Sequence, residues 1–228
     1  MRSVPAEPTN PAVTDATRAA DGRVPGRRGQ ATRQRLLECA SDMLTTRSYR
    51  DLKVVDIARE AATSPATFYQ YFPDVESAVL ALADEMVEVG VARFADLVSA
   101  TPWKGKSGYQ GAEALADAVL SFWTEYQPVL RVVDLATGEG DHRFADVRTR
   151  LLNDLNNALA DAAGQQQAAG RGQVGIDPNA IGGVLVAMLA HVSAHRGGFE
   201  AWGVRPDDLR ATMARIIFWT VTGQKPPA

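Results

Sequence analysis

One cysteine stands among 228 residues. A lone thiol, Cys39, cannot close an internal disulfide or build a thiolate metal cluster. It falls within a helical pattern and reads as a small buried residue. Long apolar runs are also missing. The longest, Ala180 to Ala190, is interrupted by Gly182 and Gly183 and is too short to span a bilayer. The N-terminus lacks the apolar stretch of a signal peptide, so a soluble, cytoplasmic protein with no membrane partner is expected. Neither Gly-x-Ser-x-Gly nor Gly-x4-Gly-Lys-Ser/Thr occurs. No stretch shows sustained period-two alternation, so strands are not expected.

Charge of one sign is scarce where it would matter. The whole chain carries −3, but residues 1–71 carry +3 and residues 72–228 carry −6. Between Arg23 and Arg35 there are five arginines and no acid. Such asymmetry points to nucleic acid.

What remains is helical pattern. Residues 1–29 are rich in Pro, Ala and Arg without periodicity and read as a disordered basic extension. Some of its arginines could follow a phosphate backbone or enter a minor groove. A first helix is predicted over about 32–46, with Leu36, Leu37, Ala40, Met43 and Leu44 as its apolar stripe. Asp74, after Pro73, caps a long helix to about Ser99 with Val79, Leu82, Met86 and Val89 facing inward. Further helices are predicted over roughly 107–126, 128–137, 141–163, 178–197 and 206–222. Gly164 to Gly175 is Gln- and Gly-rich and reads as a mobile connection. The total is about nine helices, an all-α fold.

Asp56 to Phe72 reads as two short helices joined by a tight turn. Ile57, Ala58 and Ala61 form a buried seam. Ser64 is placed as the N-cap of the second short helix and Pro65 at its first position, where a missing N–H costs nothing. Phe68 and Phe72 read as core anchors. The other side chains suit a surface pressed against a polyanion, the arrangement in which a second helix enters the major groove.

Three pieces in order, TRQRLLECASDML, SYRDLKVVDIAREA and TSPATFYQYFPDVESAVL, resemble the DNA-binding domain of TetR-type bacterial transcriptional regulators. The resemblance implies a three-helix DNA-binding domain over 30–75, with the helix-turn-helix at about 53–72. A larger helical domain for ligand binding and dimerisation over 76–228 would follow. The long helix after Asp74 would link the two. It implies phosphate contacts from Tyr69, with Thr67 and Ser64 as hydroxyl donors; Tyr71 is open between contact and core. Base reading would fall to Thr63, Pro65, Ala66 and Gln70, since Gln pairs with adenine and Ala or Pro touches a thymine methyl. Arg33 and Lys53 are further candidates for phosphate. Several positions depart from the family pattern. Ala62 replaces the usual turn glycine, Lys53 replaces a hydroxyl cap, Val75 replaces an early lysine and Ser48 replaces a glycine.

The resemblance also implies a homodimer on a double-stranded, palindromic operator, built from the last two helices. Gly183, Ala187, Ala190 and Ala194 would allow close approach on one helix, with Met213, Ile216 and Ile217 on the other. A small hydrophobic or aromatic effector is expected in the helical domain. Candidates to line its pocket are Trp103, Phe122, Trp123 and Tyr126, with Val129, Val133, Phe144 and Met188. Trp123 and Tyr126 stand out because an N–H or O–H could orient a ligand. No cofactor, metal or catalytic residue is expected. The contrasting reading is a helical enzyme or metal-binding protein without DNA binding. His191 and His195 have metal-ligand spacing, but no glutamate of an HExxH motif and no Cys cluster joins them.

Overall fold

The structure, a computed structural model, describes residues 26–227. The expected extension before Gly26, with Arg23, lies outside the described residues. The chain divides into two compact units, one up to Ala81 and one from Leu82 onward. No strand occurs among the described residues, and none of their helices is long and apolar enough to cross a membrane.

The first unit is built from α1 (Arg27–Thr46), α2 (Val54–Glu60), α3 (Pro65–Tyr71) and the first turns of α4 (Val75–Ala100). A 3-10 turn, Tyr49–Asp51, joins α1 to α2. Helix α1 starts five residues before the position expected from periodicity. Residues 27–31 are polar and small, so they carry no apolar stripe. They hold no proline, and Gly26 is the N-cap residue. Residues 27–29 are therefore helix, not extension. The predicted stripe is buried: Leu36, Leu37 and Ala40 are fully enclosed, with Met43 and Leu44 nearly so. Helix α1 packs on α2 and α3, where Ile57, Ala58 and Phe68, with Phe72 just beyond α3, are buried as predicted. Asp56 in the first turn of α2 accepts from Arg59 at 2.7 Å, and Arg47 lies 3.7 Å away. An acid at that end also suits the helix dipole. Asp74 caps α4, its Oδ1 accepting from the Ser77 N–H at 2.7 Å.

The second unit holds the remainder of α4 with α5 (Gly105–Glu125), α6 (Gln127–Gly138), α7 (His142–Ala168), α8 (Pro178–Ala194), α9 (Arg196–Ala201) and α10 (Pro206–Thr222). The described residues thus hold ten α-helices rather than about nine. The stretch expected as one helix over 178–197 ends at Ala194. His195 leaves helical geometry, and Gly197 and Gly198 favour only a short new helix, α9. In α4, Val89 is exposed and Leu82 half-buried; the enclosed row beyond Leu82 is Ala83, Met86, Val87, Phe94 and Val98.

The Gln-rich stretch expected as a loop continues α7 to Ala168. Glutamine is a good helix former, and these glutamines have work beyond the helix. Gln166 is buried and accepts from Arg171 Nε at 3.2 Å, while Gln167 Nε2 donates to the carbonyls of Gln173 and Ile176 at 2.8 and 2.7 Å. Gly170, at φ +71°, turns the chain out of the helix.

Two glycines fix helix approach. A Cβ on Gly182 of α8 would lie 2.6 Å from the Asn156 carbonyl of α7. One on Gly90 of α4 would collide with Leu151 Cδ1 and Phe122 Cζ. Phe122 packs edge-on against Phe94, with centroids 5.1 Å apart.

Candidate nucleic-acid interface and effector cleft

Helix α3 is held by its N-cap residue. Ser64 Oγ accepts from the Thr67 N–H at 3.1 Å and shares a hydrogen bond with Thr67 Oγ1 at 3.0 Å. That mutual bond uses one of the two hydroxyl protons, so one remains for an outside acceptor. Phe68, fully buried and 5.6 Å from the Phe72 ring, anchors the helix from below. The opposite side is open: Ser64, Pro65, Ala66, Tyr69 and Gln70 are exposed, and Thr63, Thr67 and Tyr71 are half-buried. Tyr69 is 53 % exposed although it is a large aromatic. It is held by an edge-on contact with Phe68 at 5.9 Å.

The turn before α3 closes α2 with two bonds, Thr63 N–H to Ala58 O at 2.8 Å and Ala62 N–H to Arg59 O at 3.1 Å. This pattern requires a left-handed residue between them. Ala62 occupies it at φ 52°, the only non-glycine at positive φ among the described residues. The strain expected from the missing glycine is therefore real, about 1 kcal/mol. Lys53 is the N-cap residue of α2, makes no side-chain cap and is exposed.

Arg33 needs correction as an open phosphate contact. It is only 8 % exposed, and its guanidinium lies 5.3 Å from the centre of the Phe72 ring. A planar cation stacked on an aromatic face packs α1 against the end of α3.

In the second unit, two adjoining clefts open among α5, α6, α7 and α8. The smaller, about 70 Å³, is lined by Trp123, Leu130, Val133, Leu151, Arg148, His191 of α8 and His195 just after it. The larger, about 200 Å³, takes in Trp123, Leu130, Arg131, Ser193 and Arg196. Asp134 borders both, 3.6 Å from Arg148.

Of the eight predicted pocket residues, Trp123 and Val133 line these clefts. Phe122, Phe144 and Val129 are core. Trp103 is core as well, its Nε1 donating to the Val98 carbonyl at 3.1 Å, so its N–H already has a partner. Tyr126 is half-buried against Phe122, with ring centroids 4.7 Å apart. Burial, then the neighbouring Glu125 carboxylate, raises its phenol above the ordinary tyrosine value. Met188 is half-buried and lines neither cleft.

Among the polar members, Arg131, Asp134, Arg148, Ser193 and Arg196 escaped sequence reading, while the two histidines were weighed only as metal ligands. Arg131 and Asp134 are three apart on α6, but that spacing also describes a solvated face. His191 and His195 stack with centroids 4.3 Å apart, and His195 Nδ1 lies 3.0 Å from the His191 carbonyl. No group of three or more His, Cys, Asp or Glu suited to a metal occurs among the described residues. Gly170, Gly172 and Gly175 spell Gly-x-Gly-x-x-Gly, but they follow a helix and not a strand, so the dinucleotide geometry is absent there.

Residues 36–82 match the model for bacterial regulatory proteins of the tetR family, and residues 94–228 match that for the tetracyclin repressor-like C-terminal domain. The chain belongs to the TetR family of transcriptional regulators. Over 92 residues it is 33 % identical to the HTH-type transcriptional regulator EthR of Mycolicibacterium smegmatis, a match covering 38 % of this chain and 42 % of that relative. The fold is shared with FadR of Bacillus halodurans, at a TM-score of 0.64 and 15 % identity over 90 % of this chain and 100 % of that one. Salmonella enterica GusR gives 0.63 and 18 %, covering 84 % of this chain and 96 % of its own. FadR of Bacillus subtilis, solved in complex with stearoyl-CoA, gives 0.62 and 15 %, covering 84 % and 98 %.

The expected dimer residues of this TetR-family chain fall on both sides of its surface. Gly183, Ala187 and Ala194 are exposed, and Ile216 is 39 % exposed. Met213, Ile217 and Ala190 are buried within the protomer and have little surface to offer a second copy. One face of α10, including Phe218, is spent on the core, where Phe218 meets Tyr109 edge-on at 5.8 Å. The opposite face carries Thr212, Ile216 and Trp219, and α8 adds Val184 at 67 % exposure. The expected set is therefore split between the two faces of each helix, because small and apolar residues occur on both.

Proposed function

We propose that this chain is a ligand-responsive repressor that binds a palindromic operator as a homodimer and leaves it when a small effector binds. The observation that carries this reading is the open row on α3, anchored from below by Phe68 and capped by Ser64. Residues 30–75 form the reading head in this proposal. Residues 76–228 form the effector and dimerisation domain. Tyr69, Ser64, Thr67 and Lys53 contact phosphate, and Thr63, Pro65, Ala66 and Gln70 meet base edges. Half-buried Tyr71 lies at the edge of the contact.

The exposed apolar strip of Val184, Ile216 and Trp219 supports a second copy as its cover. Two heads then meet two half-sites related by the same two-fold axis. The clefts around Trp123 support an effector site among α5 to α8. Bacillus subtilis FadR, of the same fold, was solved with stearoyl-CoA, a precedent for ligand binding in this architecture. Effector binding shifts the population toward a form with lower operator affinity.

Fluorescence anisotropy on labelled DNA from the chain's own promoter region, across salt and beside a scrambled control, tests this. Preferential binding at two subunits per site is expected. Equally weak, equally salt-sensitive binding to both DNAs would overturn it.

A further inference from the structure

Ser193 is 4 % exposed, and its Oγ has no hydrogen-bond partner. Buried hydroxyls in folded proteins nearly always have one. This serine lines the larger cleft beside Trp123, Leu130, Arg131 and Arg196. The charges there do not cancel. Asp134 is matched by Arg148 at 3.6 Å. Arg196 donates to the Thr124 hydroxyl, a neutral group, and Arg131 has no ion pair among the described residues. Two guanidiniums without carboxylate partners therefore border the same space as an unsatisfied hydroxyl. Trp123 and Leu130 supply an apolar wall.

We propose that this cleft binds a small organic carboxylate with an apolar or aromatic body. One guanidinium or both would hold the carboxylate, since a planar fork of N–H donors matches its two oxygens. Ser193 Oγ would gain its missing partner from the same group, and the indole of Trp123 would pack against the body. The inference rests on the reading of this cleft as the effector site. It adds a negative charge to the hydrophobic or aromatic effector expected from sequence, because the cationic residues come from α6 and from the α8–α9 junction and meet only in the fold.

Isothermal titration calorimetry on the full chain decides it, with benzoate, benzamide and benzylammonium as probes of one shape and three charges. Benzoate should bind at least about tenfold more tightly than benzamide, a difference of about 1.4 kcal/mol, and benzylammonium should bind most weakly. The double variant Arg131→Gln, Arg196→Gln should bring benzoate down to the level of benzamide while leaving benzamide unchanged. Ser193→Ala should weaken benzoate several-fold with the melting temperature unchanged or raised, which a merely structural serine would not do. Equal affinity for benzoate and benzamide would overturn the proposal. So would a benzoate preference that survives in the double variant, or no saturable benzoate binding at all. Operator binding is measured without any of these compounds, so failure of the carboxylate inference and failure of the regulator reading are told apart.

Discussion

Ala62 is a side chain held in a backbone region that suits glycine, at φ 52°. Ala62→Gly should therefore stabilise the protein by about 1 kcal/mol, read as a higher midpoint in urea. A lower midpoint would mean that glycine's extra freedom in the unfolded chain outweighs the relieved strain. Asp141 is the other telling residue. Its Oδ1 accepts from the Arg143 N–H at 2.9 Å, and its carboxylate pairs with the Arg143 guanidinium at 2.7 Å. The Arg143 side-chain hydrogen bonds hold its carboxyl below the ordinary aspartate value. A lowered folded value stabilises the native state above the ordinary carboxylate range, and that contribution fades as pH falls through the lowered value. Asp141→Ala should cost about 1 kcal/mol at neutral pH, and its deficit against the parent should shrink in acid. A deficit constant with pH would contradict this. Cys39 is half-buried, and burial followed by Glu60 pushes its thiol up, which makes it a slow nucleophile.

At the scale of elements, α3 and the α7–α8 pair make separate demands. Tyr69→Ala and Thr67→Ala should each weaken binding to every DNA sequence and flatten its salt dependence, because phosphate contacts carry no sequence information. Unchanged anisotropy titrations in both would remove these residues from the interface. Gly182→Val should destabilise by about 1–3 kcal/mol, since its Cβ would sit 2.6 Å from the Asn156 carbonyl, which cannot step aside as a flexible side chain could. Helix existence was legible because an apolar stripe at 3.6 spacing needs no tertiary knowledge. Caps at Ser64, Asp74, Asp141 and Asp177 each start a helix with a carboxylate or hydroxyl acceptor. Boundaries set by polar residues were not legible, as at Arg27–Gln30 and Gln165–Ala168. Their helicity comes from propensity and, at the end of α7, from side-chain bonds to the following loop such as those of Gln167. The side of each C-terminal helix turned to the core was also hidden. Small residues on α8 suit close packing on either side, and only Gly182 against Asn156 reveals which side α7 takes. Cleft polarity was hidden for a related reason: residues from four helices share the space, and no single stretch of chain carries their pattern.

At the scale of the whole molecule, the proposed assembly is what turns one small head into a specific reader. Trp219→Glu together with Ile216→Glu should shift the protein to monomer in sedimentation velocity without unfolding it, because both side chains are already exposed at 59 % and 39 %. Operator affinity should fall with dimer loss, and a variant that remains dimeric would place the interface elsewhere. The distribution of indoles has a further consequence. All four tryptophans, Trp103, Trp123, Trp202 and Trp219, lie beyond Leu82, and the reading head has none. Trp103 is enclosed with its N–H bonded, while Trp202 and Trp219 face solvent. The molecule thus carries blue- and red-emitting intrinsic fluorophores only in its second unit. Of these four only Trp123 lines the clefts, so a variant that keeps Trp123 alone turns intrinsic emission into a reporter of the proposed effector site.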